Sequence, residues 1–485
     1  MPGPQLVARF LACSALCLSI VLSQSENQQE LAAIPIIKDG EPQFASAVEP
    51  PPIQPTEVRK VIVTVEQPRV IPHPDTPRHK DEKAKLLERL PKNKGTWNGN
   101  HVRHRLLDAL YGFVKYQERQ NEELVRLRGL YSNTAKHQKA LLEKFVHYSD
   151  KFTQIEKLLA KNQELCDRIV ESALSFYVID RSELNEHIKN SEKEGRKADK
   201  ISVSQSLKHI VRDWTAAGGT YERDDCFACL TGVLEKLYPD RNERSKPLKI
   251  LLPGAGIGRL GHEIAELGGR NSTKKAVIWC TSGAVTNLSV GFEVTINEWS
   301  MYMNVAYRFL ETHGHRINSE TFHPFVDLWS HHVSTADMQR PVTFPDAPVN
   351  ASEVLLVEGD FTTVFNTKPF RHYDVIVTYF FIDTARNLAS YFDTIETLLR
   401  PGGYWINLGP LLYGTAPFVQ LSLEEIIVYA EEGLGFKFLD VAGPECGELT
   451  FPDRHVRGME AAYGFNDRAL TKNAYKAQFW VAQRP

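Results

Sequence analysis

The sequence has little excess charge: 57 Lys and Arg stand against 60 Asp and Glu, a net −3 in 485 residues. A broad nucleic-acid surface needs a basic excess on one face, so no nucleic-acid partner is expected. Cysteine is sparse and scattered, seven in all, too few for the disulfide framework of small secreted domains. Cys226 and Cys229 form a C-x-x-C with no second pair nearby. Ordinary packing is the expectation for them rather than zinc or redox chemistry, and no metal is expected. There is no internal repeat. What remains is ordinary for a globular protein, 42% hydrophobic and 24% charged, and long enough for two or three domains.

The N-terminal third is uneven. Arg9 precedes "FLACSALCLSIVLS", an apolar run of signal-peptide length with Ser19 and Ser23 near its end, too short for an ordinary membrane span. Residues 1–23 are therefore expected to be a signal peptide or anchor, with a mis-set start codon as the alternative. Membrane contact would require an uncleaved anchor. Asn271, Asn287 and Asn350 lie in N-x-S/T sequons, which recur by chance. Residues 24–95 are rich in Pro, Glu and Gln and predict a disordered tether, with one short strand at "VRKVIVTV". Residues 96–245 predict packed helices, since Leu106, Leu107, Leu110, Phe113 and Val114 recur at helical spacing. Arg212, Asp213 and Trp214 stand out at the end of this region, and a surface ion pair beside a core Trp is the plain expectation for them.

After residue 246 strands alternate with helices: "LKILLPGAG", "GFEVTINEWS", "SEVLLVEGDF", "YDVIVTYFFID" and "YWINLGP". That alternation predicts an α/β fold with a mostly parallel sheet, whose ligands bind beyond the C-terminal strand ends. The residues closing each strand are therefore the candidates. Gly254, Gly256 and Gly258 allow a tight turn, close backbone approach and a helix starting against the sheet. Glu298 can accept two ribose hydroxyls. Asp360 and Phe361 stand where an adenine amino group and ring would lie. Tyr379 and Asp383 face the reacting side. A lone G-x-G-x-G is weak, since nicotinamide enzymes share it, and each acid alone could be a helix cap.

"YDVIVTYFFID", a helix and "LLRPGGYWINLG" resemble class I S-adenosylmethionine-dependent methyltransferases. From about His101 to the C-terminus, "LKHIVRDW", "LLPGAGIGRL", "NEWS", "GDF", "FFIDTA" and "LRPGGYWINLGPLLY" resemble the carnosine N-methyltransferase (N2227-like) family. The resemblance implies a Rossmann-like methyltransferase domain at 246–485 with an N-terminal helical extension. It implies S-adenosyl-L-methionine as cofactor, and methylation of the imidazole of carnosine or a related histidine-containing dipeptide. Donor-binding roles fall on His209, Arg212, Gly254, Gly256, Glu298, Asp360, Phe361 and Tyr379, and substrate contacts on Asp383, Tyr463 and Tyr475. Asp383 is the catalytic candidate, holding the second ring N–H of the imidazole. The sequence departs from the family in four places: His209 where Gln is usual, Tyr379 where Cys is common, Gly414 in place of a substrate-side His, and Asn473 in place of a Tyr. Residues 269–290 interrupt a helix-to-strand connection that α/β units keep short, and a translated intron is the favoured reading. A second copy of the chain is a candidate partner. The cytosol or nucleus, where the donor is made, is the expected location, and the secretory route is the alternative. A dehydrogenase, a methyltransferase of another small molecule and a non-catalytic scaffold stay open.

Overall fold

The computed structural model describes residues 70–268, 291–365, 373–414 and 416–485. The signal-like segment, the strand expected at "VRKVIVTV" and residues 269–290 lie outside these. Val70–Pro485 forms one compact unit. No helix among the described residues is long and apolar enough to cross a membrane.

A nine-stranded sheet is built from β1 (Leu248–Pro253), β2 (Phe292–Glu298), β5 (Val354–Glu358), β6 (Tyr373–Tyr379), β7 (Leu399–Gly409), β8 (Lys437–Phe438), β9 (Glu448–Leu449), β10 (Val456–Ala462) and β11 (Ala474–Gln483). Its order is β5-β2-β1-β6-β7-β11-β10-β9, with β8 also on β11. The five strands from β5 to β7 pair in parallel, and β11 runs antiparallel between β7 and β10. Strand order reverses at β1, whose neighbours are β2 and β6. Such a switch point opens a crevice beyond the strand ends. Between β2 and β5 the structure adds a small hairpin, β3 (Glu320–Phe322) with β4 (Val342–Phe344). Strands of three residues carry too little periodicity to be read from sequence.

The helical region packs as its spacing dictates. The 30-residue helix Tyr148–Tyr177 buries Phe152, Ile155, Leu159, Cys166, Ile169 and Ala173 along one face, against Val102–Val114, Tyr116–Ser132 and Met301–His313. The helix Lys200–Trp214 starts where the Asp199 side chain accepts the N–H groups of Ile201 and Ser202, satisfying two of its unpaired first-turn donors.

Disorder was expected through residue 95, yet Pro77–Arg89 is a helix. Pro77 sits in its first turn, where a missing N–H costs nothing. Arg78 donates to the Val294 carbonyl at 3.0 Å, His79 Nε2 lies 3.1 Å from the Val354 carbonyl, and Arg89 donates to the Glu358 carbonyl at 3.1 Å. The helix thus covers β5, an edge strand that would otherwise be open to pairing.

The packing expected of the C-x-x-C pair is also corrected: Cys229 forms a disulfide with Cys446, 217 residues away. Both sulfurs' residues are fully buried, and the bond ties the helix Asp224–Leu237 to the turn before β9. Cys226 stays a free, buried thiol.

The fold closes across the interrupting segment. A Cβ built on Gly268 would lie 3.0 Å from the Gly291 Cα, and Gly291 O accepts the N–H of Leu248 at 2.9 Å. Deleting residues 269–290 and joining Gly268 to Gly291 should therefore leave the thermal midpoint within about 2 °C, since shortening a connection changes closure entropy little. Thermal melts of the two forms check this; an insoluble or molten deletion form would show that the segment belongs to the fold.

Candidate active site

β1 delivers Gly254, Gly256 and Gly258 to the switch point, all with positive φ (66°, 59° and 83°). At Gly254 a Cβ would collide with the Phe381 ring. At Gly258 it would lie 2.9 Å from Ile296 Cδ1 and 2.8 Å from Tyr307. Glycine is thus required by both backbone sign and space at these two positions.

The helix Lys200–Trp214 braces the turn from outside the sheet. Arg212 and Asp213 are 9% and 3% exposed, so the plain expectation of a surface pair is wrong. Arg212 Nε donates to Asp213 Oδ1 at 2.6 Å, and the N–H of Ile257 donates to Asp213 Oδ2 at 3.3 Å. Trp214 Nε1 donates to the Ile257 carbonyl at 2.9 Å. Burial opposes the charge on Arg212, but Asp213 outweighs it and holds the guanidinium's pKa above its usual value. His209 Nδ1 is buried without a hydrogen-bond partner and lies 3.6 Å from where a Gly256 Cβ would be. Burial, reinforced by Arg212, pushes the His209 pKa well down, so its ring is neutral.

Glu298, at the end of β2, accepts the N–H of Gly256 at 2.9 Å through Oε2 and that of Ser300 at 2.8 Å through Oε1. Burial raises its pKa, against those backbone donors. The next residue, Trp299, is covered by the Arg105 guanidinium at 3.8 Å from the ring centroid, and Arg105 also donates to the Trp299 carbonyl. Beyond β5, Asp360 caps the short helix Phe361–Val364, its Oδ1 accepting from Thr362 N at 2.8 Å. Phe361 is buried against Phe381 and Tyr391, each 5.5 Å between centroids.

β6 ends at Tyr379, which packs edge-on against Phe227 at 5.6 Å. Phe380 follows with φ 50°, a strained conformation for an aromatic residue and typical of functional sites. It stacks on Tyr463 at 5.4 Å and 9°, and meets Tyr475 edge-on at 5.9 Å. Tyr463 and His209 both pack on Phe465, each at 5.3 Å. Glu222 holds that loop by accepting the N–H groups of Gly464 and Phe465. His209, Tyr463 and Tyr475 therefore share one aromatic cluster with Phe380 and Phe465. Asp383 lies in the 3-10 turn after β6, 7% exposed, and its Oδ2 accepts the Leu412 N–H at 2.9 Å. Burial raises its pKa to about 6. A Cβ on Gly414 would meet nothing within 4 Å, and Asn473 is exposed.

Sequence reasoning missed Phe380, Phe381, Arg105 and Glu222. The first two stand in the quoted strand "YDVIVTYFFID" but read there as core, and nothing local marks Arg105 or Glu222. The arrangement joins buried acids, a glycine turn and a ring cluster at one set of strand ends, suited to holding a nucleoside-like group beside a flat polar ring.

The mouse carnosine N-methyltransferase is 29% identical over 381 residues, covering 78% of this chain and 85% of its own. The fission-yeast (Schizosaccharomyces pombe) carnosine N-methyltransferase is 29% identical over 355 residues, covering 68% and 82%. A solved CurJ carbon methyltransferase is 12% identical, covering 84% of this chain and 97% of its own at a TM-score of 0.30, too distant a likeness to carry argument. The family profile described as carnosine N-methyltransferase matches residues 189–276 and 282–485. With more than half of its residues matched, the chain belongs to the carnosine N-methyltransferase family.

Proposed function

We propose that the protein transfers a methyl group from S-adenosyl-L-methionine to an imidazole nitrogen of carnosine or a related histidine-containing peptide. The residues present fit the donor. His209 Nδ1 is a buried ring nitrogen lacking a partner beside the glycine turn, and Arg212 stands next to it for a carboxylate. Glu298 suits ribose hydroxyls, and Asp360 with Phe361 an adenine. Tyr379 closes the site against Cys226 and Phe227. When bound, the donor supplies a methyl group on a sulfonium, activated for in-line attack.

The observation carrying the reading is Asp383, a buried carboxylate three residues after Phe380, which joins the ring cluster with Tyr463 and Tyr475. Its pKa of about 6 leaves it ionised at neutral pH. A carboxylate there accepts the N–H of the substrate ring, fixing the tautomer whose other nitrogen carries the lone pair. As the N–CH3 bond forms and the S–CH3 bond breaks, the ring gains positive charge. Asp383 stabilises that charge and takes the N–H proton, which passes to water. The faces of Tyr463 and Tyr475 add about 0.5–2 kcal/mol each toward a cationic ring.

Gly414 weakens the carnosine side of this reading, because a polar partner is missing where space is open. Restoring one is worth about 1–3 kcal/mol, so Gly414→His should raise kcat/KM for carnosine roughly 5- to 150-fold. Labelled-donor assays of both forms against carnosine, other histidine dipeptides and histidine test this. If no imidazole compound is methylated by either form, the substrate assignment is wrong.

We place the working pool in the cytosol or nucleus, where the donor is made. The Cys229–Cys446 disulfide favours the secretory alternative, because such bonds persist in oxidising compartments. Asn350 is exposed in its sequon. An unmodified Asn350 in protein from the native cell is the expected result, and a glycan there would establish the secretory route.

A further inference from the structure

Two ring nitrogens at the start of the helix Val102–Val114 are buried without a well-aligned hydrogen bond: Nε2 of His101, the residue that caps the helix, and Nδ1 of His104. His104 Nδ1 is nonetheless only 3.0 Å from Asp108 Oδ2, close enough for the two to pair electrostatically. The other carboxylate oxygen, Oδ1, lies 2.7 Å from His187 Nε2, contributed by the helix Arg181–Lys193. The ligand atoms of His104, Asp108 and His187 all fall within 4.8 Å of one another. The two imidazoles meet edge to face at 5.1 Å, and Trp97 packs against His104 at 5.5 Å and His101 at 5.0 Å.

We propose that His104, Asp108 and His187 form a zinc-class divalent-metal site that pins the helix Val102–Val114 to the helix Arg181–Lys193. Around a tetrahedral ion with ligands at about 2.0–2.1 Å, neighbouring ligand atoms stand about 3.3 Å apart. The separations of 3.0 and 2.7 Å both fall short of that spacing, and a sub-ångström shift opens them to it. Two imidazoles with one carboxylate select zinc, cobalt or nickel over calcium or magnesium. His104 and Asp108 are four residues apart on a helix, hence on one face. Water completes the tetrahedral shell. Arg196 also approaches Asp108 Oδ1, at 3.4 Å, but its Nε is held by Glu194 at 2.9 Å. That leaves it a partner when a cation neutralises Asp108.

The site stands apart from the proposed chemistry, although Arg105 on the same helix reaches toward Trp299 and the donor side. The test uses the full chain, stripped with a chelator and titrated with Co2+, whose visible bands report tetrahedral geometry. One cobalt per chain is expected, displaced by zinc. His187→Gln and Asp108→Asn should each weaken binding roughly tenfold or more, and zinc should raise the wild-type thermal midpoint. Zinc-edge X-ray absorption of the wild type should show nitrogen and oxygen ligands without sulfur, which decides the matter even if a variant fails to fold. No cobalt bands, bands unchanged in both variants, or a sulfur shell would overturn the site.

Discussion

Asp383→Asn should lower methyl-transfer turnover by about 10²–10⁴-fold, the usual range for a positioned acid–base group, while affinity for S-adenosylhomocysteine stays unchanged. The same substitution should stabilise the protein. Burial lifts the Asp383 pKa from 3.8 to about 6, so the folded state binds that proton more tightly than the unfolded state does. The sign follows: folding is unpenalised below pH 3.8, loses stability as pH rises toward 6, and is penalised by a constant amount above it. Two pKa units and a fraction correspond to about 3 kcal/mol. An amide can still accept the Leu412 N–H without carrying a charge, so Asn should recover up to that amount at pH 7 and almost none near pH 3.5. In the wild type, kcat should fall with unit slope as pH drops through about 6, because only the carboxylate accepts the ring N–H. Melting curves at the two pH values and a pH–rate profile provide the measurements. Wild-type turnover in the variant would remove Asp383 from the mechanism, and a variant less stable at pH 7 would show that its buried charge does not cost the fold. A gain in stability with loss of turnover would identify a group kept for chemistry at the expense of the fold.

The residues legible in the sequence were those whose meaning is local. Three glycines after an apolar strand announce a turn, and acids at the ends of successive strands announce a crevice, because strand alternation alone fixes where those ends lie. Roles that depend on distant partners were not legible. Asp213 reads as half of a surface ion pair until Ile257, 44 positions on, donates to it. Cys229 reads as half of a C-x-x-C until Cys446 is found beside it. His104 and Asp108 show helical spacing, but their third neighbour lies 79 residues beyond Asp108. Composition misled in one place: the prolines before residue 77 concealed "HKDEKAKLLER", whose order comes from covering an edge strand rather than from its own propensity. Phe380 was hidden differently. In an alternating strand it counts as core, and only its positive φ, a tertiary outcome, turns its ring onto Tyr463.

Glu298→Ala is where the structure changes a sequence-based expectation most. Read as a cleft residue, Glu298 could be removed with no effect beyond the donor. Its two oxygens, however, accept the N–H groups of Gly256 and Ser300, so it holds the glycine turn of β1 to the first turn of the helix Met301–His313. Truncation leaves both donors without their acceptor, at about 1–3 kcal/mol for each one that water cannot reach. It also removes the charge that would hold two ribose hydroxyls, worth about 1.5–3 kcal/mol per bond. The expected result is a fall in S-adenosylhomocysteine affinity of roughly 10²–10⁴-fold, from the lost ribose bonds alone, with a lowered but still cooperative melt. Glu298→Gln separates the two contributions. Its amide oxygen can keep one of the two backbone donors, so stability should recover about half of the loss, whereas affinity should recover less because the charge is gone. Calorimetric titration and melting curves of the three proteins distinguish the outcomes. Affinity that tracks stability in both variants would make Glu298 a brace for the turn and nothing more. Affinity that stays low in a Gln variant whose stability has partly recovered would assign it to the donor.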